Sequence, residues 1–382
     1  MTPAAVADRA AGRFRAWHGV EPEGVWHAPG RVNLIGEHTD YNRGWVLPFA
    51  LDRGVVVAAR RRDDGVLDIR SIQAGDRATL PLAGLGPGGV TGWAAYPAGV
   101  AWAMREAGHP VGGASLVIDS DLPQGAGLSS SAALECAAAI ALADLYGLRA
   151  PRTELARLAR RAENVMVGVP SGIMDQSASL LCEARQALLL DCRSGDSLLV
   201  PFDPAGAGLA LVVVDTGARH ELTDGRYALR RQECEQAARA LGVPSLRDVT
   251  DVAQVSMIGD PVLARRARHV ITDNQRVRTS VALLEAGDLA GLGPMLHASH
   301  VSLRDDFEIS WPQADVAVEA AEHAGALGAR MVGGGFGGSV IALVPAGSTA
   351  VPEALAAEYA RRGWPPPRIL AAPPSAGASR LR

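Results

Sequence analysis

The run Pro123-Gln124-Gly125-Ala126-Gly127-Leu128-Ser129-Ser130-Ser131-Ala132-Ala133-Leu134 decides how this chain is read. It follows Ser115 to Asp119, a short apolar run that predicts a strand ended by Pro123. It opens the stretch Ser131 to Tyr146, where Leu134, Ala138, Leu142 and Leu145 share one helical face before a stop at Gly147. The order is therefore strand, glycine turn, helix. The first-turn N–H groups of such a helix have no partner within it, and its dipole adds positive potential, so an anion fits there. Glycines at 125 and 127 allow close backbone approach to that anion. Three consecutive hydroxyls add donors, and one of them can ligate a metal. A serine-capped helix after a tight turn would use the same residues.

Other segments carry polar groups of a different kind. Gly30-Arg31-Val32-Asn33-Leu34-Ile35-Gly36-Glu37-His38-Thr39-Asp40-Tyr41-Asn42 packs two carboxylates, an imidazole and an arginine into one short stretch. Such groups need partners when buried, and a neutral polyhydroxylated ligand would suit them; a solvated turn is the other reading. Glu163 follows Ala159 and Leu155 on the apolar face of a helix expected over residues 152–164. A carboxylate there needs a compensating charge such as Mg²⁺, unless it reaches water at the helix end. Asp175 lies early in a following helix, with Ser171 as its expected N-cap. Gly333-Gly334-Gly335-Phe336-Gly337-Gly338 places five glycines in six residues between two expected strands, which implies close backbone approach to a ligand or to another loop.

Composition bounds the answer. A chain of 382 residues allows two domains, and 48% hydrophobic with 20% charged residues is enough to build cores. The net charge of −4 leaves no general pull toward nucleic acid or an anionic membrane. Apolar stretches such as Cys136 to Ala143 fall far short of the roughly 18–20 residues of a membrane span. With no basic segment followed by an apolar one near Met1, a cytoplasmic protein is expected. The four cysteines show no paired or metal spacing and read as reduced. All 37 basic residues are arginine. That excludes a Walker A site, a protein-kinase site, a pyridoxal phosphate site and a Schiff-base site, each of which needs lysine. The irregular alternation of strands and helices reads as α+β, divided near residue 205 into segments 1–205 and 206–382, with a loosely ordered proline-rich tail.

Three of these segments, in this order, resemble the galactokinase branch of the GHMP small-molecule kinase superfamily. GRVNLIGEHTDYNRGWVLPFA resembles its sugar signature, PQGAGLSSSAALE its phosphate loop and GARMVGGGFGGSVIAL its third motif; SGIMDQ and SLRDDFEIS fit as well. The resemblance implies a ribosomal-protein-S5-like N-terminal domain, an α/β C-terminal domain and an active site in the cleft between them. It implies Asp175 as catalytic base and Arg31 as its partner. Glu37, His38, Thr39, Asp40, Gly172 and Tyr227 would line the sugar. Gly125, Ala126, Gly127, Leu128, Ser129, Ser130 and Ser131 would wrap the phosphates of ATP, and Ser131 with Glu163 would hold Mg²⁺. The implied reaction is phosphorylation of α-D-galactose at its C1 hydroxyl, the entry to galactose catabolism, by a monomer. A sibling kinase acting on N-acetylgalactosamine or arabinose, and a non-catalytic galactose and ATP sensor, are the alternatives. That phosphate loop has no lysine, in keeping with the composition.

Overall fold

A computed structural model of the chain describes residues 2–123, 125–218 and 225–382. The run Val55-Val56-Val57-Ala58-Ala59 is apolar without alternation because the sheet that contains it is covered on both faces. That sheet orders its strands β13 (Ser379–Arg380), β1 (Gly24–Asn33), β3 (Pro48–Arg62), β6 (Gly113–Ser120), β4 (Val66–Ser71) and β5 (Arg77–Pro81), with only the β4–β6 pair parallel. Val25, Val56, Ala58 and Val117 face α1 (Pro3–His18). The alternate residues Trp26, Val57, Ala59, Leu116 and Ile118 face the opposite core. Helices α2 (Ala95–Glu106), α3 (Ser130–Leu145), α4 (Arg152–Arg161) and α5 (Met174–Leu181) contribute to that core.

A second sheet runs β10 (Gly328–Val332), β11 (Ser339–Pro345), β9 (Leu209–Asp215), β12 (Arg368–Ala371), every pair antiparallel. Val214, Ala329, Met331, Val340 and Ala342 turn toward α8 (Leu292–Asp305), α9 (Pro312–His323) and α10 (Ala350–Arg361). Leu211, Val213, Ile341 and Leu343, on the other face, join the core of the first sheet. A three-stranded sheet, β2 (Trp45–Val46), β7 (Gln186–Asp191) and β8 (Ser197–Pro201), lies beside the long α7 (Pro261–Glu285), which also packs on α6 (Arg226–Ala240). Arg247 stacks on Trp45, 3.2 Å from its ring centroid, and pairs with both oxygens of Asp191.

Residue 205 lies in the turn between β8 and β9. The tail is a correction to the sequence reading: it is docked, not loose. Ser375, Gly377 and Ala378 donate backbone N–H groups to Ala50, Cys182 and Ser179, and β13 pairs with β1. Backbone partners hold it although its own side chains are small. Among the described residues no helix is long and apolar enough to cross a membrane.

Candidate active site

The phosphate loop is laid directly on β1. The β1–β3 register shifts between Pro29 and Arg31, and Gly30 at the shift leaves room for the Leu128 carbonyl, which a methyl group there would approach to 2.6 Å. Arg31 then bonds the loop twice, its backbone N–H to Leu128 O at 3.2 Å and its Nη1 to Gly127 O at 2.9 Å. The rest of the guanidinium forms a two-pronged pair with Asp175, Nε to Oδ1 at 2.8 Å and Nη2 to Oδ2 at 3.0 Å. Ser129 Oγ donates to Asp175 Oδ2 at 2.5 Å. Arg31 is buried, whereas the Asp175 side chain keeps 26% of its surface exposed, so the carboxylate is fixed from behind and open in front.

Gly125, Gly127 and, less expectedly, Ser129 adopt left-handed backbone angles as the loop turns into α3. Ala126 and Leu128 point into the core, while Gly125 and Ser130 are exposed and Gly127, Ser129 and Ser131 partly so. The glycine-rich turn of residues 333–338 lies against this loop. A methyl group on Gly333 would stand 3.6 Å from Gly127 O, and Ser339 Oγ donates to Ala126 O at 2.8 Å. The first is ordinary contact, so glycine at 333 answers to its φ of +86°, whereas at Gly335 a methyl group would come within 2.6 Å of Ile309 Cβ.

The expected sugar residues divide into two groups. Asp40, Gly172 and Tyr227 are partly exposed and come together near Asp175: Gly172 abuts the Asp40 carboxylate so closely that a methyl group would overlap it. Burial raises the Asp40 carboxyl to about 6, with the Tyr41 N–H and Arg31 opposing and Asp175 and Glu37 adding to the rise. Glu37, His38 and Thr39 are buried in the loop's own framework. Glu37 Oε1 accepts from Gly333 N at 2.8 Å and pairs with Arg330 Nη2 at 3.1 Å, while Oε2 accepts from Asn33 Nδ2 at 3.1 Å. His38 packs among Tyr41, Tyr227 and Phe307. Burial lowers His38 to about 3, so the ring is neutral; it accepts from Tyr41 Oη at 2.6 Å and donates to Gly334 O at 3.3 Å. Thr39 Oγ1 serves Gly36 O at 2.8 Å and Trp45 O at 2.7 Å.

Glu163 sits in a single π-helical turn, Ala162–Val167, that extends α4 and turns its carboxylate inward. Oε1 accepts from Ser131 Oγ at 3.2 Å; Oε2 accepts from Ser171 Oγ at 2.5 Å and Gln176 Nε2 at 2.8 Å. Ser171 therefore does not cap α5, whose N-cap is Ile173 without a side-chain bond; the pull of Glu163 wins over the helix terminus. Burial raises the Glu163 carboxyl, and it has no ion-pair partner among the described residues. Behind it, burial and Glu163 together push Glu135 to about 10, and that group accepts from the same Gln176 amide at 3.0 Å. A buried carboxylate lacking a cation, with a hydroxyl beside it, fits Mg²⁺, which takes one or two protein ligands and completes its shell with water and phosphate. Among the described residues no cluster of three or more His, Cys, Asp or Glu is arranged for a metal.

Sequence reasoning missed α7. Its Asp273 Oδ2 accepts from both Gly36 N and Glu37 N at 3.1 Å, its His269 Nε2 donates to Glu37 O at 3.1 Å, and its Asn274 Oδ1 accepts from Trp45 N at 2.8 Å. The available signal was three polar residues in the buried middle of a long helix.

Comparison with known proteins identifies the family. Residues 12–61 match the galactokinase galactose-binding signature, 95–183 the GHMP kinases N terminal domain and 280–361 the GHMP kinases C terminal domain. A galactokinase of Streptomyces coelicolor is 53% identical over 99% of both chains. One from Mycobacterium tuberculosis is 52% identical over 84% of this chain and 88% of its own. The crystal structure of Lactococcus lactis galactokinase complexed with galactose superposes with a TM-score of 0.92 at 33% identity, covering 98% of this chain and 99% of that one. Methanococcus jannaschii mevalonate kinase shares the fold, with a TM-score of 0.65 at 17% identity over 91% of this chain and 97% of its own. With relatives this similar over nearly its whole length, and with a match to the galactose-binding signature, the chain belongs to the galactokinase family of the GHMP kinases.

Proposed function

We propose that this chain transfers the γ-phosphoryl group of ATP to the C1 hydroxyl of α-D-galactose, giving galactose 1-phosphate and ADP. One observation carries the reading: the Asp175 carboxylate is clamped between Arg31 and Ser129 where the sugar signature meets the phosphate loop. In this reading Asp175 accepts a hydrogen bond from the C1 hydroxyl and aims its oxygen at the γ-phosphorus. As the O1–P bond forms and the bond to the ADP oxygen breaks, the hydroxyl proton becomes acidic and passes to Asp175 late in the step. Arg31 holds the carboxylate on line and offsets negative charge close to it. Asp40, Gly172 and Tyr227 face the hexose, with Glu37, His38 and Thr39 shaping the loop behind them. The backbone and hydroxyls of residues 125–131 take up the phosphates, chiefly through positioning. Ser131 and Glu163 would hold Mg²⁺, which when bound neutralises phosphate charge. We assign the chain as a monomer in the cytoplasm; sedimentation checks the first point and fractionation the second.

Asp175→Asn tests the assignment. Its kcat falls by about 10²–10⁴ while a non-hydrolysable ATP analogue still binds. Near-normal turnover would remove Asp175 from the mechanism. An ADP-release assay across galactose, N-acetylgalactosamine and arabinose separates galactose from its siblings, and no turnover with any of them would favour a sensor.

A further inference from the structure

The sugar loop belongs to the first half of the chain, yet its shape is held by a helix of the second. Two loop glycines mark the places where that helix comes close. At Gly36, with φ of +97°, a methyl group would lie 2.8 Å from Val277 Cγ2. At Gly44 it would lie 2.5 Å from Asn274 Oδ1. Each approach is used for hydrogen bonding. Asp273 Oδ2 takes the two adjacent N–H groups of Gly36 and Glu37, and His269 Nε2 takes the Glu37 carbonyl. Asn274 Oδ1 takes the Trp45 N–H at the loop's other end. The three side chains are themselves fixed: Arg276 Nη1 donates to Asp273 Oδ1 at 2.8 Å, Ser302 Oγ bonds His269 Nδ1 at 3.0 Å, and Asn274 Nδ2 donates to Val270 O at 2.8 Å. All three are buried, so none of them meets a ligand from solvent.

We propose that Asp273, His269 and Asn274 are positioning residues that hold the loop of residues 36–45 in its hexose-ready shape and thereby set the affinity for the sugar. The proposal rests on reading that loop as the sugar site. Asp40 stands between the two anchored ends, and its carboxylate touches Gly172, so a loop released at either end displaces an acceptor from the hexose. Misplacing a binding group by about 1 Å is enough to cost an enzyme on the order of 10²-fold.

The test uses the full chain carrying Asp273→Asn or Asn274→Ala. Galactose binding is measured by calorimetry without nucleotide, alongside KM for each substrate, kcat, and affinity for a non-hydrolysable ATP analogue. The expected result is a rise of about tenfold or more in both the Kd and KM of galactose. The ATP-analogue affinity and kcat at saturating galactose stay within about threefold of the parent. Galactose affinity within twofold of the parent in folded variants would overturn the proposal. So would an equal loss of galactose and ATP-analogue affinity, which signals general loosening. Should Asp273→Asn fail to fold, Asn274→Ala decides alone, since it removes one loop contact at the far end. If the unaltered protein binds no galactose, the reading of the sugar site fails instead, and the two failures are told apart.

Discussion

Asp40 is the site carboxylate that burial raises to about 6, close to the pH at which an enzyme works. As a carboxylate it can only accept, which suits sugar hydroxyls; once protonated it competes for their lone pairs. Galactose KM should therefore rise about tenfold per pH unit below about 6, and a plot of log KM against pH should bend there. His38, lowered to about 3, contributes no bend in that range. The effect on stability runs the other way. A carboxyl raised from 3.8 to about 6 in the folded protein favours folding fully below 3.8, and that contribution is lost as pH rises through about 6. Asp40→Asn should then raise the Tm of the ligand-free protein by about 1–3 °C at pH 8 and leave it unchanged near pH 3.5. The same change should weaken galactose binding by at least about tenfold. Scanning fluorimetry at the two pH values and a binding isotherm check the pair of effects.

In the proposed site, the connection from the π-turn to α5 would serve both ligands. Its Glu163 end faces Ser131 of the phosphate loop, and its Gly172 end faces Asp40 of the sugar loop. Gly172→Ala should push the Asp40 carboxylate away and raise galactose KM about tenfold or more, with ATP KM and Tm little changed; steady-state kinetics with each substrate varied checks this. At this scale the sequence was informative where the physics is local. Glycines at 125 and 127 and the helix expected after them place α3 to within a residue, at Ser130–Leu145. Ser171 was misread because a cap and a tie to Glu163 look alike until the carboxylate is placed. The π-turn and the left-handed Ser129 likewise arise from tertiary neighbours, and the polar residues of α7 gained meaning only when the loop was packed on them.

Across the whole molecule, the second sheet belongs to two cores at once. Val340 and Ala342 serve one, while Ile341 and Leu343, one residue further along each time, serve the other. The interruption near residue 205 falls in the turn between β8 and β9, but a strand divided by face between two cores was not visible in the sequence, since both faces are apolar. The halves should consequently unfold together. Calorimetry should give one transition with matching calorimetric and van't Hoff enthalpies. Leu343→Ala should lower it as a single step at a cost of about 2–5 kcal/mol. Two separated transitions in either protein would contradict the shared core.

The bonds from α7 to the back of the sugar loop also bear on how this enzyme tells one hexose from another. A recognition surface braced across the seam between the two halves behaves as a template, not a mould. On the proposed reading, an epimer with one hydroxyl misdirected would meet acceptors that do not swing to follow it and would bind more weakly than galactose.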